Sequence, residues 1–318
     1  DQTGPYDLVA NWLKPIEPGT TTYVVSVFAE SPDRILIVST GATPGEQVGT
    51  FNAKAPGARL DHLMLVVDRN GRVIEEWRQW FPRWGQPHAA RINPYDSDKH
   101  VWFIDRESHQ IFEFTRDGKK LLKTLGEKGV TGADENHFGR PAEIAWLPDG
   151  TFFVADGYQN RRVVKFDRSG KFLMAWGSQG SAPGQFGGTV HCVAVDSKRR
   201  VYVADQGNRR IQVFDELGKF LDQWPNINSP THIMVTQDQS VWVTDLQTAR
   251  ILKYDTDGKL LTYWGVAGTT EGTFQGAHDF HVDSEGSLYI NQALAHRVDK
   301  FVPKPNADRS RLVGQPLK

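Results

Sequence analysis

Residues 150–177 read GTFFVADGYQNRRVVKFDRSGKFLMAWG. An apolar run ends in Ala-Asp, a polar turn carrying Asn-Arg-Arg follows, a second run leads to Asp-x-x-Gly-Lys, and a third ends in tryptophan. Short alternating runs cut by Asp-, Ser- and Gly-rich turns are the pattern of antiparallel strands. Residues 200–224, RVYVADQGNRRIQVFDELGKFLDQW, repeat the same order. The pattern returns in 100–126, 240–265 and 287–301, and more loosely in 21–77, which closes with HLMLVVDRNGRVIEEW. Each copy is preceded by one more short apolar strand, such as PAEIAWLPDG or THIMVTQDQ.

Four strands per unit at a spacing of roughly 40 to 50 residues, with no helical periodicity, predict units that stack radially into an all-β, six-bladed propeller. The whole chain, 1–318, then forms one domain. The last unit lacks an outer strand, and YDLVANWL within residues 1–20 is expected to supply it, closing the ring and removing an open edge. The polar, proline-rich tail PKPNADRSRLVGQPLK (303–318) is expected to be a loose end. The recurrent Ala-Asp-x-x-Asn-x-Arg-Ile…Phe…Gly-Lys-Phe…Trp signature is similar to the NHL-type propeller repeat, a resemblance that implies a fold and no particular activity. Arg162, Arg210, Arg250 and Arg297 recur at one position of the repeat and read as structural pairing residues.

Composition sets the boundaries. The chain is 39% hydrophobic, enough for a large core, and its 37 Lys+Arg balance 38 Asp+Glu. Such balance gives no electrostatic reason for a nucleic-acid or anionic-membrane partner. No apolar run approaches the roughly 18–20 residues of a bilayer span. The opening residues DQTGPYDLVANW lack a signal-peptide pattern, as expected of an already processed chain. The single cysteine, Cys192, excludes an internal disulfide. That suits a reducing compartment and also permits an exported protein.

When the innermost strands are aligned, one slot is occupied in turn by His88, Ala142, His191, Thr231 and His278. Histidine stands in the second, fourth and sixth blades, about 120° apart around a six-fold channel. Three imidazoles at one depth predict a His₃ zinc centre with an open fourth position. The remaining histidines, including His62, His109, His232 and His296, fall off this slot and read as surface or structural residues.

With these residues in view, the chain resembles the peptidyl-α-hydroxyglycine α-amidating lyase family of six-bladed zinc propellers. The stretch VADGYQNRRVVKFDRSGKFLMAWGSQGSAPGQF…VHCVAV carries the family's Asp-Gly-Tyr, Asn-x-Arg, Ser-Gly-Lys-Phe, Trp-Gly and Pro-Gly-Gln-Phe elements. The resemblance implies zinc on His88, His191 and His278 and a catalytic tyrosine at Tyr158. It also implies a structural Ca²⁺ at Asp279, with the carbonyl of Ala90 as a further ligand. Asp279 could equally orient a neighbouring imidazole. A tyrosine ionises near 10 in water, and a nearby Zn²⁺ would lower that value toward general-base work; the alternative is a packing tyrosine in a turn.

The departures concern substrate recognition. Gln206 stands where the family has an arginine in the fourth blade, and Thr40 where it has one in the first. Losing two charge-assisted hydrogen bonds, each about 1.5–3 kcal/mol, would cost about 10²–10⁴ in affinity or rate unless Arg59, Arg83 or Arg106 substitutes. Gln159 replaces a cysteine of the family's disulfide. The segments EEWRQWFPRWGQ (75–86) and GTFQGAHDF (272–280) could wall a substrate pocket or serve inter-blade packing.

The expected function is a zinc-dependent, lyase-like cleavage of a C–N or C–O bond in a small hydroxylated substrate by a monomer. Ester or lactone hydrolysis at the same centre and a metal-free NHL binding platform are the alternatives. The resemblance points to a periplasmic or secreted location.

Overall fold

The protein is described by a computed structural model covering residues 2–47 and 49–317. Among these, twenty-four strands form six four-stranded antiparallel sheets, with only three short 3-10 segments besides. No helix among the described residues is long and apolar enough to cross a membrane. The innermost strands of blades 1 to 6 are Thr20–Ser31, Pro87–Ile92, Glu143–Trp146, Val190–Val195, Pro230–Val235 and Ala277–Val282. In blades 1 to 5 the chain runs from the innermost strand outward. Blade 6 takes its outermost strand from Tyr6–Val9, which pairs antiparallel with Arg297–Pro303, Leu8 opposite Phe301.

The repeat signature is explained by what it packs. Burying a tryptophan removes some 150–250 Å² from water, about 4–6 kcal/mol of transfer free energy before entropy is counted. Trp176, Trp224 and Trp264 end the outer strands of their blades, and Trp77 follows one. Each meets a turn glycine of the next blade: Gly118 against Trp77, Gly218 against Trp176 and Gly258 against Trp224, while Gly4 of the closing segment meets Trp264. These glycines have φ between 59° and 82°, and a Cβ would collide with the indole. Glycine is therefore demanded twice, by the left-handed backbone and by contact with the ring. The aromatic segments near the mouth belong to the same packing. Trp84 stacks on Phe103 at 4.0 Å, and Trp77 and Phe274 are buried between blades, so they do not wall a pocket.

The recurrent arginines split. Arg162 and Arg210 donate Nε to Asp156 and Asp205 at 2.8 Å and direct their Nη atoms at carbonyls of the incoming loop, His137 O and Gln185 O among them. Arg250 is exposed over the Tyr263 ring, 4.5 Å from its centroid.

The tail departs from expectation. Leu317 N donates to Val235 O and Gln237 N to Gln315 O, both at 2.9 Å, while Tyr6 Oη accepts from Val313 N at 2.8 Å. The free backbone past the inner strand of blade 5 recruits a partner despite the tail's polar composition. Lys318 lies outside the described residues. On this side the channel opens as a largely apolar funnel of about 370 Å³, with Ile92, Met234, Val235 and Pro316 among its walls.

Candidate metal centre

The first turn of the inner strand in blades 2, 4 and 6 delivers His88, His191 and His278 to one end of the channel, all buried. Each ring is oriented in the same way. Nδ1 donates to a backbone carbonyl of a neighbouring blade: His88 to Ala142 O at 2.8 Å, His191 to Thr231 O at 2.7 Å, His278 to Val25 O at 2.9 Å. A carbonyl can only accept, so the proton is fixed on Nδ1 and every Nε2 presents a lone pair.

Those lone pairs converge. His278 Nε2 lies 3.1 Å from His191 Nε2. The Tyr158 hydroxyl is 2.9 Å from His88 Nε2 and 2.9 Å from His191 Nε2, and its single proton can serve one of them. The ligand atoms of the three histidines lie within 4.8 Å of one another. Two nitrogens of a tetrahedral zinc site are ~3.3 Å apart, from Zn–N bonds of ~2.0–2.1 Å. Facing lone pairs without a shared proton repel unless a cation lies between them, so the donor set fits zinc. Burial pushes all three imidazoles below the ordinary histidine range, His278 to about 4; repulsion from the neighbouring ligand imidazoles adds to it at His88 and His191, and repulsion from His232 and Arg106 at His278. Neutral imidazole is the form that ligates.

Three loops at this end are built alike. Each follows a buried aspartate that closes the second strand of its blade and ties the loop to the incoming chain. Gly85 N donates to Asp105, Gly139 N to Asp156 and Gly187 N to Asp205. The loops carry Arg106, Tyr158 and Gln206. Burial raises the Tyr158 phenol, and the adjacent Arg106 guanidinium opposes it. Arg106 lies 4.9 Å from the centroid of the Tyr158 ring and is steadied by Glu107 at 3.1 Å and Gln86 at 3.3 Å. Of the three arginines raised as substitutes, it is the one that reaches the centre. Arg59 pairs with Glu17 and Asp61, and Arg83 is exposed at the end of a 3-10 segment. Arg106 is the first residue after Asp105, the register that Gln206 holds after Asp205. Gln206 donates to Ser229 Oγ at 3.0 Å, and Thr40 is buried against Tyr23 O.

The residues drawn together for calcium do not fit it. Asp279 Oδ2 accepts from Arg91 Nη2 at 3.0 Å, and Ala90 O accepts from Arg91 Nη1 at 3.0 Å. A dication at ~4 Å from a guanidinium would be repelled by about 8 kcal/mol at an effective dielectric of ~20. Asp279 also faces His232 Nδ1 at 3.2 Å, and His232 adjoins Glu143 at 3.6 Å. Glu143, Cys192 and His232 form a second buried group of ligand-type side chains beside the first. His232 thus belongs to the channel. Sequence alternation hid it, because a strand normally turns consecutive side chains to opposite faces. The inner strands of blades 2, 4, 5 and 6 carry register shifts at Pro87/Ala89, Val190/Val193, Pro230/His232 and Ala277/Asp279. A bulge of this kind lets neighbours such as His278 and Asp279 both serve the channel.

A family model described as the NHL repeat matches residues 189–214. The chain is 28% identical over 291 residues to peptidyl-glycine alpha-amidating monooxygenase B of Xenopus laevis, covering 82% of this chain and 31% of that protein. It is 33% identical over 141 residues to peptidyl-alpha-hydroxyglycine alpha-amidating lyase 1 of Drosophila melanogaster, covering 43% and 25%. It therefore spans about a third or less of these relatives. A streptogramin B lyase structure superposes with a TM-score of 0.58 at 12% identity, covering 94% of this chain and 98% of that one, a likeness of fold alone. Blade count, NHL repeat and lyase relatives agree: the chain belongs to the amidating-lyase-like family of NHL-repeat six-bladed β-propellers.

Proposed function

We propose that this chain is a zinc-dependent lyase that cleaves the C–N bond of a small substrate bearing a hydroxyl on the same carbon, with Arg106 in place of the arginines absent at Gln206 and Thr40. The observation that carries the reading is the convergence of three Nε2 lone pairs beside the Tyr158 oxygen. Zinc bound there would supply a Lewis acid at the channel mouth. The backbone carbonyls that accept from Nδ1 hold the imidazoles in the ligating tautomer. Tyr158, ionised, takes the proton of the substrate hydroxyl. The carbon–oxygen double bond forms as the C–N bond breaks, and the same proton passes from Tyr158 to the departing nitrogen, which leaves as a neutral amide. No water is consumed. Arg106 favours the ionised phenol and offers a cation to an anionic end of the substrate. Relatives of this chain are named for peptidyl-α-hydroxyglycine, a carbinolamide ending in a carboxylate, and a substrate of that class suits this reading.

The test is turnover of N-acyl-α-hydroxyglycines of varied acyl group, with amide and glyoxylate measured in ¹⁸O-labelled water. Stoichiometric amide and glyoxylate, with no label entering a carboxylate, is the expected result. Label in a new carboxylate would replace this reading with hydrolysis. A parent protein that takes up no zinc would leave only a binding platform, whereas a stoichiometric metal lost in His191→Ala argues against one.

A further inference from the structure

We infer that the guanidinium of Arg91 is the permanent cation of the channel hub, standing where the family resemblance implies a structural Ca²⁺, so that this chain folds and stays folded without calcium. One layer below the histidines, every blade contributes a side chain: Ser26, Arg91, Glu143, Cys192, His232 and Asp279, all buried. Two of these are carboxylates, and a dry interior does not tolerate such a pair without a counter-charge. Arg91 Nη2 reaches both, Glu143 at 2.5 Å and Asp279 at 3.0 Å. Its Nη1 donates to Ser26 Oγ and to Ala90 O, each at 3.0 Å. Ser26 Oγ in turn donates to Asp279 Oδ2 at 2.5 Å, and the backbone N of Val27 donates to the same oxygen at 3.2 Å.

The oxygens a calcium would need are thus turned onto a planar fork. Ca²⁺ takes six to eight oxygens at about 2.3–2.6 Å, whereas this layer offers few: Asp279 Oδ2, Glu143 Oε2 and Ala90 O already accept from Arg91, which leaves Asp279 Oδ1, buried without a hydrogen bond and facing His232 Nδ1 at 3.2 Å. The void between the two layers is about 10 Å³, close to the limit for one water, so waters could not complete the coordination shell of a calcium that these few oxygens leave open. Blade 2 places Ala89 beside its histidine, where blades 3 to 6 place Glu143, Cys192, His232 and Asp279. The cation comes from the same strand two residues further on. A guanidinium stays charged at any pH the fold survives and cannot be exchanged.

The inference does not rest on the catalytic reading, and one sample separates the two. Protein prepared in resin-treated, calcium-free buffer is analysed for zinc and calcium, then dialysed against ⁴⁵Ca²⁺, and its thermal unfolding is recorded without and with about 5 mM Ca²⁺. For a micromolar site that level is ~5,000 times the dissociation constant and would raise Tm by several degrees. The expected result is no retained calcium and an unchanged Tm, whatever the zinc content. One Ca²⁺ per chain, or a calcium-dependent rise in Tm, overturns the inference. Arg91→Ser is expected to acquire what the parent lacks, calcium binding and a Tm that rises with calcium. An Arg91→Ser protein as stable as the parent and indifferent to calcium also overturns it. If that variant folds under neither condition, the parent's calcium measurement decides.

Discussion

Tyr158 has one proton and two imidazole nitrogens within 2.9 Å, so its oxygen is the group at the centre able to gain and lose a proton without moving. Phenylalanine keeps the ring and removes that capacity. Tyr158→Phe is expected to lower kcat ~10²–10⁴-fold, the usual range for losing a general acid–base group, with zinc content and Tm retained. Full activity in this variant would remove Tyr158 from the mechanism. Arg106 is argued from position, and its loss should appear as weaker recognition. Arg106→Gln is expected to lower kcat/KM about 10–150-fold, mainly through KM, the equivalent of a charge-assisted hydrogen bond. Because Gln206 holds the same register in blade 4, Gln206→Arg in that background should restore part of the loss. An unchanged KM for anionic substrates in Arg106→Gln would sink the assignment. The sequence carried the arginine only as one of three candidates. The residue after a strand-closing aspartate has a fixed place in the repeat, but nothing in one sequence says whether its side chain leans over the channel or away from it.

At the scale of the strand, repetition made the site readable and local irregularity concealed its second half. The histidine slot could be aligned because the turns on either side of it recur. Strict alternation would turn His232, and Asp279 next to His278, to the opposite face, and the register shifts in the inner strands bring them to the channel instead. The repeat arginines show the same limit. Arg210 and Arg250 share a position, yet one is buried on Asp205 and the other lies exposed over Tyr263. Arg210→Leu leaves the buried Asp205 carboxylate without its cation and is expected to cost about 3–5 kcal/mol in urea unfolding. Arg250→Ala should cost less than about 1 kcal/mol. Equal costs would mean that the shared position, not burial, governs the energy. The inner strand of blade 6 also sets an acid limit. His281, against the Phe28 ring, is pushed by burial and then by the Arg91 guanidinium from the ordinary 6.5 to about 3. Its folded pKa lies below its unfolded one, so the unfolded chain binds more protons between those values. The stability tied to its neutral form is whole above about 6.5 and drains as pH falls toward 3, with a slope of up to ~1.4 kcal/mol per pH unit. His281→Gln is expected to flatten that acid limb in unfolding measured from pH 7 to 4, and an unaltered limb would show that other groups set it.

At the scale of the whole molecule, six blades around a shared polar hub should unfold as one unit, because no blade keeps both faces covered alone. Closure by Tyr6–Val9 is where that unity can be broken. Tyr6 is fully buried, packs on Trp264 at 5.5 Å and accepts from Val313 N. Tyr6→Ala is expected to cost about 3–5 kcal/mol, as for other buried aromatics truncated to alanine, and to split a single calorimetric transition by loosening blade 6 first. A variant that melts in one step at the parent's temperature would contradict this. Propeller class and blade number were legible because they follow from strand periodicity and turn chemistry. The pinned tail was not, since its polar, proline-rich composition masks the few apolar residues, Val313 and Leu317 among them, that pack on the core, and its backbone pairing leaves no mark in composition.

The pairing of Leu8 with Phe301 joins segments almost three hundred positions apart. On the ribosome, the earliest strand must therefore wait through the synthesis of every other blade before its mate emerges, with its hydrogen-bonding edge unsatisfied meanwhile. Anything that shelters that edge during translation, or any nascent-chain neighbour able to capture it, bears on yield in the cell without altering the finished protein.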